Sequence, residues 1–259
     1  MKYNLQLKNE SEENKIQVLF EPSTDNPFAI IYKPSSLPCA PLKRGNDSAL
    51  TQCLKLFPFL ENVQGRKEIE AGLLHRIDSV TSGLVLIAST QSAYDFLCQE
   101  QNENRFIKKY SATVLKSEID LRDKGFPPFN KQNELQSAVS ENKKYTVESA
   151  FRYYGEKSSA VRPVTDLSGR SAKKKVEKNI YTTQINLTHS ESKFYKAECT
   201  ISKGFKHQVR CHLSWSGFPV VNDSVYCFEN INNKAFDFCA CSLEFNHPLT
   251  KEKMVFELV

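Results

Sequence analysis

Glycine is scarce in this chain, nine residues in 259, about half of the roughly 7% usual in soluble proteins. No Gly-x-Gly-x-x-Gly and no phosphate-cradling glycine loop occurs. That argues against nucleotide-dependent enzymes and methyltransferases. Long apolar runs are also missing. No segment approaches the ~20 residues a membrane helix needs, and the start, MKYNLQLKNESEENK, lacks the apolar centre of a secretory signal. The expectation is a soluble, cytoplasmic protein. There is no Cys-x-x-Cys among the eight cysteines. The close pair Cys239-x-Cys241 has no second pair at a metal-binding spacing. Reduced, buried thiols are the expectation, with no metal site.

What is present is ordinary in bulk. Hydrophobic residues make up 40% and charged residues 25%, with a net charge of +5. A mildly basic protein accepts a polyanionic partner without requiring one. Residues 1–26 carry five acids against three lysines and read as a polar arm or edge strand. Residues 27–259 read as a single domain, and no internal repeat is visible.

The informative stretch is Gly72 to Ser89, GLLHRIDSVTSGLVLIAS. Apolar runs flank a polar centre of His75, Arg76, Asp78, Thr81 and Ser82, and Gly83 follows, where a turn can use positive φ. If residues 73–78 are extended, Leu74, Arg76 and Asp78 share one face, and Arg76 and Asp78 lie about 7 Å apart at their Cα atoms. An isolated pair of this kind is a surface ion pair worth about 0–1 kcal/mol.

The remaining elements follow in order. FAIIYK (28–33) is a strand stopped by Pro34. DSALTQCLKLFPFL (47–60) has helical spacing, and Thr90 caps a helix running to about Asn104. Arg105 to Leu115 alternates as a strand, with Phe106, Lys108, Tyr110, Ala112 and Val114 on one face. Residues 117–150 read as polar and irregular. Between Arg152 and Lys178 there are eight Lys/Arg and three acids, an excess equal to that of the whole chain. This run reads either as a solvated loop or as a mobile basic loop gripping a phosphate backbone. Residues 179–187 and 196–201 read as paired strands, and His207 to Ser216 as a helix with Gly217 past its end. Gly204 and Lys206 stand at the start of that helix, where an anion is favoured. Strands around 239–245 and 253–258 close the chain.

Three stretches together resemble the RluA-type RNA pseudouridine synthases. His-Arg-Ile-Asp-x-x-Thr-Ser-Gly at 75–83 is similar to the family's active-site motif, with Ile77 where Leu is usual. Lys108-x-Tyr110 is similar to the second signature. Gly204, His207, Gln208, Val209, Arg210, His212 and Leu213 match the third, which continues through Gly217 and Asp223 to Tyr226. Lys33-Pro34 resembles the segment that opens the catalytic domain. Departures are Lys203 for Thr, Phe205 for Arg and Cys239 for a frequent His.

The resemblance implies an α+β fold on a mixed, mostly antiparallel central sheet with flanking helices and loops. It implies cofactor-independent conversion of uridine to pseudouridine in ribosomal RNA or tRNA, by a chain expected to be a monomer with no membrane partner. The catalytic set it implies is Asp78, Tyr110 and Arg210, brought into one cleft from three distant segments. Lys33, His75, Arg76, Lys108, Lys203, Lys206 and His207 are the implied RNA contacts. The 26 residues before the first strand cannot encode the S4-type module of many relatives, so selection is expected to rest on the catalytic domain. Two other readings stand beside this one. A catalytically silent RNA-binding protein could keep the fold, and a carboxylate glycosidase would need a second acid that these motifs do not offer.

Overall fold

The computed structural model describes residues 1–8, 14–229, 231–232 and 234–259. Its first strands are β1 (Lys2–Leu5), β2 (Gln17–Phe20), β3 (Phe28–Lys33), β4 (Ser82–Ala88) and β5 (Ile107–Leu115). Among them lie helices α1 (Ala49–Leu56) and α2 (Gln91–Asn102). There follow α3 (Gln132–Ser140), β6 (Tyr145–Tyr154), β7 (Ala160–Val164), α4 (Arg170–Lys173), β8 (Tyr181–Glu191), β9 (Phe194–Ile201), α5 (Gln208–Trp215), β10 (Phe238–Asn246) and β11 (Lys253–Leu258). The contacts divide the chain into two units, Met1–Lys109 with Cys239–Val259, and Tyr110–Phe238.

In the first unit β3 pairs antiparallel with β2 and with β4, and β10 pairs antiparallel with β11. Among the described residues of this unit β4 pairs parallel with β10 and β1 with β11. The apolar runs of β3 and β4 are buried on both faces, as runs without alternation should be. Their core holds Phe28, Leu84, Leu86, Phe106, Phe245 and Phe256. Phe245 stacks on Phe106 at 5.6 Å and on Phe256 at 5.7 Å. Thr90 caps α2 by accepting the Ala93 N–H at 3.2 Å. The polar arm supplies β1 and β2; part of it, residues 9–13, lies outside the described residues.

In the second unit the antiparallel order is β9-β8-β6-β7. Two expectations change here. Residues 117–150 are not simply irregular, because α3 forms where Leu135 and Ala138, three apart, bury against β6 and β8. Nor is the whole basic stretch a loop. Arg152 and Arg162 face each other on the β6–β7 hairpin, and Arg162 is buried. Its guanidinium stacks 4.3 Å from the centroids of both Phe126 and Tyr154 and donates to the Lys124 and Val161 carbonyls. Aromatic faces and carbonyls thus satisfy a cation that composition alone assigned to solvent. The basic residues from Arg170 onward remain exposed. Throughout, the sheets are mixed and mostly antiparallel, an α+β architecture.

Candidate active-site residues

The motif stretch in the first unit begins as a partner of β4 and then leaves it. Leu74 N donates to Leu86 O at 3.1 Å, and Leu73 bridges Ile87. At the next position a side chain replaces the backbone: His75 Nε2 accepts the Leu86 N–H at 3.3 Å. His75 is buried, with its ring 5.3 Å from Phe106. Burial, and then the charge of Lys108, push its pKa well below the usual imidazole value, so the ring is neutral and acts as an acceptor. Lys108 is itself buried, and burial lowers its pKa to about 8. Both His75 and Lys108 are thus enclosed by protein.

Arg76 is exposed and pairs with Glu70 at 3.1 Å, so its first partner is not Asp78. Asp78 is half-buried on a turn closed by Thr81 N donating to Asp78 O at 3.0 Å. The Lys-Pro loop grips both sides of this aspartate. Lys33 Nζ donates to Ser79 O (3.1 Å), Pro34 O (2.8 Å) and Leu37 O (2.7 Å). Ser35 Oγ donates to Val80 O at 2.7 Å. Cys39 Sγ accepts the Ile77 N–H and donates to Ile77 O, each at 3.2 Å. Burial lowers the Lys33 pKa to about 8, against the opposing influence of Cys39 and Asp78. Lys33 therefore lies beside the turn that carries Asp78. Ser35 and Cys39 were missed, since a serine and a cysteine in a loop carry no pattern of their own.

In the second unit Tyr110 is buried and stacks on Phe238, with centroids 5.3 Å apart and planes 13° from parallel. Arg210 projects from α5, all eight residues of which are buried. Its fork closes on Asp223: Nε donates to Oδ2 and Nη2 to Oδ1, both at 2.7 Å. Asp223 Oδ1 also accepts the N–H groups of Val225 and Tyr226. Tyr226 and Phe236 flank the guanidinium at 5.3 and 5.8 Å. A bidentate charge-assisted pair of this kind fixes the plane of the guanidinium as well as its position. Asp223 continued the motif in the sequence without a stated role, and the fold supplies one. His212 is held neutral between Ser149 and Thr183, burial lowering its pKa to about 3.

The start of α5 differs from a free anion site. His207 caps it in a left-handed conformation, φ 53°, with Nδ1 3.1 Å from the Tyr226 hydroxyl. Gln208 Oε1 takes the Phe205 N–H, and Lys206 Nζ donates to Ser158 O. Lys203 is exposed. Phe205, which stands where the motif usually has Arg, stacks on Phe151 at 5.2 Å with planes 7° from parallel and meets Tyr181 at 5.1 Å. A ring suits this aromatic surround better than a solvated cation. All eight cysteines are free thiols.

Residues 27–215 match the family described as RNA pseudouridylate synthase. Ribosomal large subunit pseudouridine synthase D of Blochmanniella floridana is 25% identical over 256 residues, 92% of this chain and 67% of that protein. The tRNA pseudouridine(31) synthase of Saccharomyces cerevisiae is 27% identical over 215 residues, 81% of this chain but only 46% of that protein. The chain thus spans about two thirds of the first relative and under half of the second. Among solved structures, human RNA pseudouridylate synthase domain containing 1 aligns with a TM-score of 0.61 over 97% of this chain and 86% of that one, a likeness of fold at 16% identity. The family match takes in the clamped Asp78 turn, the Lys108-x-Tyr110 strand and the whole of α5, and on that coverage the chain belongs to the RNA pseudouridylate synthase family.

Proposed function

We propose that this chain isomerises uridine to pseudouridine in RNA, with Asp78 as the essential carboxylate. The observation that carries the reading is that the family match includes Asp78 on a turn held from both sides by Lys33, Ser35 and Cys39. The reaction breaks the N1–C1′ bond, turns the uracil and joins its C5 to C1′. It needs neither redox chemistry nor phosphate hydrolysis. It needs a carboxylate beneath the sugar, which either attacks C1′ or removes a proton from C2′. A turn pinned by hydrogen bonds to Lys33, Ser35 and Cys39 suits that task, because positioning is lost when a catalytic group wanders.

The base must first leave its stack, which costs a few kcal/mol. A ring against the extruded uracil returns about 1–3 kcal/mol, and we assign that contact to Tyr110. Arg76, an exposed residue of the motif, is assigned to the flipped nucleotide or the gap it leaves. Arg210 is assigned to electrostatic support of the reacting carboxylate, its plane set by Asp223. The proposed substrate is ribosomal RNA or tRNA, in keeping with the names of the relatives, and the proposed working form is a cytoplasmic monomer. Among the described residues no helix is long and apolar enough to cross a membrane.

Pseudouridine mapping in cells lacking the protein, complemented with wild type or Asp78→Asn, tests this. One or a few sites are expected to be lost and restored by wild type only, with RNA binding retained by the variant. Identical maps for the two complemented strains would overturn the proposal.

A further inference from the structure

We propose that the second unit carries an accessory contact for a single-stranded segment of RNA, with Tyr153 and Phe205 as a stacking platform inside a ring of lysines. This rests on RNA being the substrate and adds a place where the RNA is held apart from the chemistry.

Tyr153 lies on β6 and is 46% exposed. Single exposed rings are common on soluble proteins, so exposure alone means little. Its surroundings set it apart. Its centroid is 5.6 Å from that of Phe205, which is only half-buried and is itself stacked on Phe151. The exposed ring is therefore braced from behind by a row of other rings. A braced ring loses little rotational freedom when a base stacks on it, so more of the stacking energy appears as affinity.

The cations come from three separate segments that the fold brings to this cluster. Lys206 Nζ donates to Ser158 O at 2.6 Å, placing the 203–206 loop beside the turn that carries Lys157. Glu177 N donates to Phe151 O at 2.8 Å, placing the Arg170–Lys178 run, with five cations and one acid, beside the same strand. Lys157, Lys178, Lys203 and Lys206 are exposed, and none forms an ion pair among the described residues. Glu156 and Glu177 are the exposed acids of these segments, outnumbered by the cations. Unpaired cations around an aromatic face suit a chain that alternates phosphates with bases, and a duplex offers no unstacked base to the ring. An acidic polypeptide would use the cations and leave the ring idle.

The experiment measures binding of a fluorescent 12-nucleotide oligouridylate to the full chain over a salt series. Tyr153→Ala is expected to weaken binding about tenfold or more with an unchanged salt slope, whereas Tyr153→Phe binds as wild type. The triple substitution K157Q/K203Q/K206Q is expected to lower the slope of log affinity against log salt by about 2, near 0.7 for each phosphate no longer neutralised. Equal affinity of Tyr153→Ala and wild type, an unchanged slope in the triple variant, or full competition by polyglutamate would each overturn the inference. Pseudouridine formation is read separately. Wild type that binds through Tyr153 but modifies no RNA would defeat the proposed function alone. Modification with binding indifferent to these substitutions would defeat the accessory contact alone.

Discussion

Arg210 and Asp223 form a buried, two-pronged ion pair, Nε to Oδ2 and Nη2 to Oδ1 both at 2.7 Å, with side-chain exposures of 3% and 0%. Removing either side chain breaks this buried pair, a loss of about 3–5 kcal/mol. Asp223→Ala and Arg210→Ala should each lower the urea-unfolding free energy by that amount. The double variant should lose clearly less than the sum, because both single changes remove the same interaction. Strict additivity would show that the two act independently.

Gly83 sits in β4 against β10 with φ 126°, paired in parallel with Ala240. A Cβ there would lie 2.3 Å from Ala240 O and 2.6 Å from Ala240 N. Both obstacles are backbone, so no side chain can swing away. Gly83→Ala should therefore cost about 2–5 kcal/mol, combining backbone strain with overpacking. A thermal or urea midpoint within error of wild type would contradict this. The positive φ expected at Gly83 is present, but it serves a close approach within a strand rather than a turn.

Lys33 gives a pH-dependent signature. Burial lowers its pKa from 10.5 to about 8 in the folded protein. Between these values the unfolded chain holds a proton that the folded chain does not, so this lysine's contribution to stability rises with pH across the window. Below about pH 8 the penalty for its buried charge is complete. The stability of wild type relative to Lys33→Met should therefore improve by about 3 kcal/mol from pH 8 to 10.5. Urea titrations of both proteins at several pH values measure the difference directly. A constant difference would mean that the Lys33 ammonium is not depressed by burial.

Much of the fold is legible in the chain because its signals are local. The apolar runs of β3 and β4, the Thr90 cap of α2 and the alternation of β5 each depend on neighbours a few residues away. The motif at 75–83 is legible for the same reason: its residue types stand close together in sequence. α3 was missed because its apolar face is narrow, resting on Leu135 and Ala138, and a polar sequence hides so thin a stripe.

The sequence by itself determined the family, the position of the candidate carboxylate and the alternating or apolar character of most strands, since all of these reside in residue types at short spacing. Only the tertiary structure decided what encloses His75 and Lys108, that Arg162 is buried among rings, that Arg210 closes on Asp223 and that Ser35 and Cys39 secure the Asp78 turn. Arg210 and Asp223 are 13 positions apart and Ser35 and Val80 are 45, and which distant group quenches a buried charge or donates to a carbonyl is set by packing. A free charge or an unpaired carbonyl costs several kcal/mol wherever it is buried, so the folded chain must supply a partner. Composition states only how many candidates exist.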